Sequence, residues 1–408
     1  MRNFSIYPLN WKNPGSEFDD YMKRFDGDDI AYYLTGNASF AEKLYKNFKD
    51  DLKIIGYIGR NTTLSQRGGG GVFKIPENDE KLSFDIKKGV ARILCAEYDY
   101  EAYLEQEKYW GQRGAALNEQ FFQAEVFKAI YEVYRKDFLS LDRVEIFFTS
   151  VCTMNCEKCI AYIPYFPEKK HVNLEKLKQD ADILFSKVDE VKKLKLLGGE
   201  VFLYPNLTEY LIYLNDHYAK KIGSIRLGTN GTLFPEPELL KICRDTNVTI
   251  DISDYRVAMP EKCKLDEVKN YIESYGVPTD IKRVGEKWLD TGFPNNLPPK
   301  RSDEENDKHF HRCAMFCRQY SSGKLYYCCS NFSAVAAGLF PDDENNYFDL
   351  TRDFGKKELL EFELGYNPLG HLTLCEVCRG GSTVANPMQI EIAKQARGRL
   401  ISNFKLER

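Results

Sequence analysis

The chain has 408 residues, of which 43% are hydrophobic, 13% aromatic and 29% charged, with a formal net charge of −4. That length asks for two or three domains, and the composition supplies buried cores in a soluble protein. A slightly acidic balance, with a pI of about 5.9, argues against a general nucleic-acid or membrane-surface binder, so neither is expected as a partner.

The opening residues lack the apolar stretch of a signal peptide, and no later apolar run reaches bilayer length, so the expected location is the cytoplasm. In a reducing compartment clustered cysteines are metal ligands before they are disulfides. The twelve cysteines fall into a triplet near residue 155 and a second group from Cys313 to Cys378, with Cys95, Cys243 and Cys263 isolated. The isolated three read as small buried hydrophobes.

An N-terminal α/β domain is expected over residues 1–135. Asp29–Leu34 and Leu52–Ile58 read as strands, Ser39–Phe48 as a helix, Gly68–Gly71 as a turn, Val90–Ala96 as a strand and Tyr100–Tyr109 as a helix. The alternation predicts a small parallel sheet. Gly36 follows the first strand without a G-x-G-x-x-G, so the dinucleotide fingerprint is absent. The segment resembles the degenerate Rossmann-like units of polysaccharide-biosynthesis proteins, which implies a docking or scaffolding role.

Glu119–Arg135 is predicted to be a bridging helix. Over 141–295 the alternation resumes, with strands at Val144–Thr149, Lys193–Leu197, Ser224–Gly228, Val248–Ile252 and Thr279–Val284. Helices are expected between them at Leu174–Val188, Leu207–Tyr218, Pro237–Asp245 and Leu265–Tyr275. Such a series predicts a full or partial (β/α) barrel, with functional residues at the C-terminal ends of the strands. The cysteine loop, Gly198-Gly199-Glu200, Thr229-Asn230-Gly231 and Ser253-Asp254-Tyr255 all fall at those ends. Residues 295–307 read as a linker, 305–385 as a small cysteine-rich domain and Gln389–Arg399, within 386–408, as a C-terminal helix.

Cys152, Cys156 and Cys159 form a C-x3-C-x2-C loop with no fourth ligand nearby in sequence. Soft thiolates select iron–sulfur clusters, zinc or copper(I), and three of them leave one coordination position open. Structural zinc takes four ligands, and the nearest histidine, His171, is badly spaced for that role.

Cys152-Thr-Met-Asn-Cys156-Glu-Lys-Cys159, with Gly198-Gly199-Glu200 one β/α unit later, resembles the radical S-adenosylmethionine (radical SAM) superfamily. The resemblance implies a partial (β/α)6 barrel whose three cysteines hold a 4Fe–4S cluster. It also implies S-adenosylmethionine on the fourth iron and a 5′-deoxyadenosyl radical that abstracts hydrogen from a substrate. Gly198 and Gly199 are then expected to let backbone approach the cofactor, and Glu200 to accept a bond from its ammonium. Ser253 aligns with a ribose-contacting serine and Asn230 with the family's TNG turn, while a plain turn or cap explains either as well. Lys158 departs from the family, which usually has an aromatic residue there beside the adenine.

Cys313-x9-Gly323-x4-Cys328 followed by Cys375-x2-Cys378 resembles the Twitch module, a shortened SPASM domain, and implies one auxiliary 4Fe–4S cluster. Gly323 is expected to turn a hairpin presenting Cys328. Cys317 competes with Cys313 as first ligand and Cys329 with Cys328, and a four-cysteine zinc site is an alternative. Whichever of Cys317 and Cys329 is spare is a candidate hydrogen donor. Asp254, Tyr255 and Lys282 are candidate substrate contacts, and His309, His311, Arg312 and Arg318 a candidate anion site. The resulting expectation is an oxidoreductase or epimerase acting on a sugar or glycan precursor, served by a flavodoxin or ferredoxin. The alternatives are modification of a ribosomal peptide or protein side chain, and a non-enzymatic zinc-stapled scaffold.

Overall fold

The computed structural model describes residues 10–59, 74–285, 287–313, 317–381 and 388–404. The chain divides into two compact units, Lys12–Phe138 and Leu139–Arg408, the latter together with Pro8–Trp11. The expected turn at Gly68–Gly71 lies outside the described residues.

The first unit holds α1 (Asp19–Lys23), β1 (Ala31–Gly36), α2 (Ala38–Phe48), β2 (Ile54–Ile58) and β3 (Lys74–Ile75). It continues through α3 (Glu80–Lys88), β4 (Ala91–Ala96), α4 (Tyr100–Gln112), β5 (Phe121–Gln123) and α5 (Ala124–Lys136). All its strand pairs are parallel, in the order β3-β2-β1-β4-β5. This is the strand order of a doubly wound Rossmann-type sheet. Side chains from both faces are buried, Tyr33, Ile93, Cys95 and Phe121 on one and Tyr32, Leu34, Leu94 and Phe122 on the other. Gly36 ends β1 at φ +93°, where a Cβ would stand 2.8 Å from the carbonyl oxygen of Ala96. Tyr57 donates its hydroxyl to the Gly36 carbonyl, so the turn is closed by the unit's own side chain. The bridging helix starts at Ala124 rather than Glu119, because Phe121–Gln123 is drawn into the sheet beside β4.

The second unit is built on β6 (Ser140–Leu141), β7 (Val144–Phe147), α6 (Leu174–Lys187), β8 (Glu190–Val191), β9 (Leu194–Leu197) and α7 (Leu207–Tyr218). Next come β10 (Ile225–Thr229), α8 (Pro237–Asp245), β11 (Thr249–Asp254), α9 (Leu265–Ser274), β12 (Thr279–Arg283) and β13 (Lys287–Leu289). The rest is α10 (Asp303–Arg312), β14 (Arg318–Ser321), β15 (Lys324–Tyr326), α11 (Cys329–Ala336), β16 (Tyr347–Asp349), α12 (Lys356–Glu363) and β17 (Gln389–Glu391).

The main sheet is open, ordered β12-β11-β10-β9-β7-β14-β15-β16. Five β/α strands run in parallel from β7 to β12, and the sixth parallel strand, β14, comes from the cysteine-rich stretch. It joins the free edge of β7 with Arg318 opposite Val144 and Gln319 opposite Glu145. The expected hairpin forms at Ser322-Gly323, both at positive φ, as a tight reversal between β14 and β15 requires. It extends the barrel sheet rather than standing apart.

One face of the sheet is apolar, with Ile146, Leu196, Leu227, Ile250 and Ile252 all buried. The alternate residues, Glu145, Lys195, Arg226, Asp251, Asp280, Lys282 and Gln319, put a polar row on the other face.

Two expectations fail here. Part of the supposed linker is helix α10, started by a capping box in which Ser302 and Glu305 satisfy each other's backbone N–H. The C-terminal helix is also absent among the described residues: Gln389–Glu391 is β17, antiparallel to β13. The chain then turns through Ala393 at φ +49°. Partner strand and cysteine loop override local helical spacing in this segment.

Candidate active site

The loop after β7 carries the first three thiols. Cys152, Cys156 and Cys159 line one cavity of about 240 Å³ together with Gly198, Gly199, Asn230, Ser253 and Tyr255. Four successive parallel strands thus deliver their C-terminal ends to one place, as the barrel arrangement dictates.

Burial pushes the Cys152 thiol up to about 11 and, with its neighbours Cys159 and Cys152, the Cys156 thiol up to about 12. Burial raises Cys159 as well, and a bound cation reverses that penalty by holding the three as thiolates.

The paired glycines have a structural task. A Cβ on Gly199 would run into the carbonyl of Val151, with its carbon at 2.7 Å, and stand 2.9 Å from Cys152 Cβ. On Gly198 it would collide with Thr149, whose Cγ2 would be 2.7 Å away. Gly199 N–H donates to Thr149 O at 2.7 Å and Glu200 N–H to Val151 O at 2.8 Å. The glycines therefore clamp the thiol loop backbone, and both line the cavity.

Glu200 is placed differently from its expected role. Its side chain is in a residue 0% exposed, and it accepts from Thr229 Oγ1 at 2.8 Å, Asn230 N–H at 2.9 Å and Phe202 N–H at 3.2 Å. These bonds make the carboxylate hold the Thr229-Asn230 turn, and Glu200 is not among the residues that line the cavity. Burial raises its pKa, with those three donors opposing. Asn230 passes the restraint on: its Nδ2 donates to Thr153 Oγ1 at 2.9 Å and reaches Cys152 Sγ at 3.6 Å.

Ser253 lines the cavity beside Tyr255. Tyr255, raised in pKa by burial and then by the three loop cysteines, packs edge-on against Trp288 at 5.9 Å. Asp254 instead turns away to Arg256, with two bonds of 2.9 Å to its guanidinium. Lys282 is drawn to Asp280 and, at 3.8 Å, to Asp251. Neither lines the cavity, because each finds an opposite charge on its own sheet edge.

Lys158 pairs with the buried Asp290 at 3.0 Å. It faces a second cavity of about 460 Å³ that shares Cys159, Ile160, Tyr255 and Trp288 with the first.

The C-terminal cysteines separate into two sets. Burial and then the adjacent Cys313, Cys378 and Cys328 raise the pKa of Cys375, and burial pushes Cys328 up to about 11 and Cys378 up to about 12. These thiols lie near enough to influence one another's pKa, and Arg301 donates to the carbonyls of Cys375 and Cys378. Cys317 and Cys329 are instead joined to each other as a disulfide, beside the buried Glu145. Cys329 lines the same cavity as the loop thiols.

One tetrahedral zinc, with Zn–S bonds of about 2.3 Å, requires sulfurs about 3.8 Å apart. Among the described residues the ligand atoms within 4.8 Å of one another are those of Glu145, Cys317 and Cys329. Neither the triplet nor the quartet is drawn in so tightly, and sets of three and four thiolates are the soft donors that iron–sulfur clusters take.

Two features escaped sequence reasoning. Gln395 donates through Nε2 to Cys156 Sγ at 3.2 Å, and its Oε1 accepts Asn155 N–H at 2.7 Å. No local signal marks it, since the contact spans 239 residues. Arg318, a candidate anion ligand, is only 2% exposed. It is spent on Glu363 at 3.0 Å and on the Tyr327 ring at 3.5 Å.

The Radical SAM superfamily profile matches residues 146–294. The antilisterial bacteriocin subtilosin biosynthesis protein AlbA of Bacillus subtilis (strain 168) is 36% identical over 96 residues, 23% of this chain and 20% of that protein. The chain therefore matches about a fifth of the length of this curated relative. Streptococcus suis SuiB overlaps 45% of this chain and 44% of its own at 16% identity and a TM-score of 0.28. Native anSMEcpe with bound AdoMet and Cp18Cys peptide overlaps 59% and 89% at 14% identity and 0.39. No helix among the described residues is long and apolar enough to cross a membrane. The thiol loop, the paired glycines and the strand-end residues Asn230 and Ser253 fall inside the matched segment, and residues 146–294 are a radical SAM superfamily domain, whose cofactors are a 4Fe–4S cluster and S-adenosylmethionine.

Proposed function

We propose that the chain is a radical SAM enzyme that abstracts hydrogen from a peptide or protein side chain. The observation that carries the radical chemistry is the shared cavity of Cys152, Cys156, Cys159, Gly199, Asn230 and Ser253. The peptide substrate is supported by the resemblance to a bacteriocin-biosynthesis protein. When bound, the cluster and S-adenosylmethionine supply a 5′-deoxyadenosyl radical.

In this reading the three loop thiolates hold the cluster, and the Gly198-Gly199 backbone, Asn230 and Gln395 fix their loop. Ser253 offers its hydroxyl to the nucleoside. Glu200 is a positioning residue acting through Asn230. Cys313, Cys328, Cys375 and Cys378 hold a second, auxiliary 4Fe–4S cluster. The Cys317–Cys329 pair, once reduced, places a hydrogen-donating thiol at the cavity wall. A low-potential donor of flavodoxin or ferredoxin type supplies electrons.

A second substrate reading, a sugar or glycan precursor undergoing epimerisation or oxidation, is supported by the polar cavity lining of Glu145, Lys195, Gln319 and Ser333.

Anaerobic reconstitution, iron and sulfide analysis and assay for 5′-deoxyadenosine with dithionite test the radical reading. Iron, sulfide and 5′-deoxyadenosine are expected; zinc alone with no 5′-deoxyadenosine overturns it. Deuterium from solvent appearing in product identifies epimerisation.

A further inference from the structure

Lys195 of β9 is an unusual cation. Its side chain is only 21% exposed, and its nearest carboxylate oxygen, Asp251 Oδ2, is 3.7 Å away, beyond hydrogen-bonding reach. That carboxylate is already held by Arg226, whose Nε donates to Oδ1 at 2.8 Å. Arg226 is in turn spent on Asp280 at 2.7 Å. The Lys195 ammonium therefore stands half-desolvated without a hydrogen bond among the described residues, an arrangement that costs free energy until an acceptor arrives. It lines the cavity of the three loop thiols.

Gly228, its neighbour on β10, enlarges that spot. A Cβ there would lie 3.4 Å from Lys195 Cε and 4.0 Å from Leu197 Cβ. Bare backbone at this position leaves a slot over the lysine stem. Along the strand Lys195 lies three residues before Gly198, roughly 10 Å from the thiol-loop end at about 3.3 Å per residue. A group bound there leaves the rest of a small substrate reaching toward the radical source.

We propose that Lys195 anchors a carboxylate of the substrate in the slot left open by Gly228. The assignment rests on the radical SAM reading of the same cavity and adds a substrate class to it. A monoanion fits better than a phosphate dianion, because Asp251 already stands 3.7 Å from the ammonium and Glu145, which Arg143 pairs, lines the same cavity. Burial lowers the Lys195 pKa, with Glu145 and Asp251 opposing that effect and Arg143 and Lys282 reinforcing it. Gln319 and Ser333, also in the lining, offer neutral polar contacts to the remainder of the ligand. Both an acidic peptide and a sugar acid carry the required group.

Ligand-observed NMR titrations of the reconstituted protein separate these sources. D-Glucuronate is compared with D-glucose, and N-acetyl-L-glutamate with N-acetyl-L-glutamine. At least one acid is expected to bind about tenfold more tightly than its neutral partner, as one charge-assisted hydrogen bond provides. Whichever acid shows the preference names the source. Lys195→Met, which keeps the apolar stem, is expected to abolish the preference, and Gly228→Val to weaken binding of the preferred acid by filling the slot. Acids and neutral partners binding alike to the wild-type protein overturn the proposal. So does a preference that survives both substitutions. If melting shows Lys195→Met to be unfolded, Gly228→Val decides alone. Formation of 5′-deoxyadenosine by the wild-type protein is read separately: its absence counts against the radical reading, whereas loss of the acid preference counts against the anchor.

Discussion

Glu200 Oε2 accepts the backbone N–H of Asn230 at 2.9 Å, and through that bond a carboxylate with no exposed surface steers the thiol loop. Thr229 Oγ1 takes the other oxygen at 2.8 Å, and the Asn230 side chain contacts Thr153 and Cys152. Glu200→Gln replaces one acceptor oxygen by an NH2 facing a donor. The unsatisfied pair is expected to cost about 1–3 kcal/mol. Thermal melting and iron content check this: both fall, whereas a cofactor-binding role alone leaves the melting temperature of the metal-free protein unchanged.

Gly199→Ala tests the clamp. Its Cβ meets the Val151 carbonyl and, at 2.9 Å, Cys152 Cβ, so either the loop or strand β9 must move. Overpacking of this kind costs about 1–3 kcal/mol, and here the displaced atoms carry a ligand. The variant is expected to lose iron from the loop site while secondary structure by circular dichroism persists.

The two cysteine sets are separable. If each holds a 4Fe–4S cluster, the reconstituted chain carries about eight irons and either Cys152→Ala or Cys375→Ala about four. Cys152→Ala is expected to abolish 5′-deoxyadenosine formation; Cys375→Ala leaves a loop cluster detectable by electron paramagnetic resonance after reduction. Unchanged iron in Cys375→Ala sinks the second site.

Cluster assembly is expected to be faster at alkaline pH. The free thiols of Cys152 and Cys156 are pushed up to about 11 and about 12 by burial, and ligation requires the thiolates. The sign follows directly: deprotonation is opposed below those values, so raising the pH from about 7 to about 9 increases the small thiolate fraction and favours ligation, which releases protons. The growth of visible absorbance on adding iron and sulfide, followed at several pH values, measures it. A pH-independent rate contradicts the assignment of buried thiols as ligands.

Much of this architecture is legible from the chain alone. Four of the five β/α strands of the second unit, β7 and β9 to β11, announce themselves by buried apolar residues at alternate positions, and helix α8 starts at Pro237 as its N1 proline predicts. Cysteine spacing and Gly-Gly-Glu mark the loop because backbone proximity and ligand geometry are local demands. Helix α10 was equally legible: Ser302-x-x-Glu305 is a capping box hidden in an otherwise linker-like composition.

What the sequence determined by itself is therefore which residues bear thiols and where strands and helices run, since both depend on neighbours within a few positions. Only the tertiary structure decided that β14 completes the parallel run, that Glu200 is buried while Lys195 has no hydrogen bond among the described residues, and that Cys317 pairs with Cys329. It also decided that Gln389–Glu391 is a strand and that Gln395 covers Cys156. The physical reason is common to all of them. Each is settled by partners more than ten residues away, through burial and hydrogen-bond competition that local periodicity does not encode.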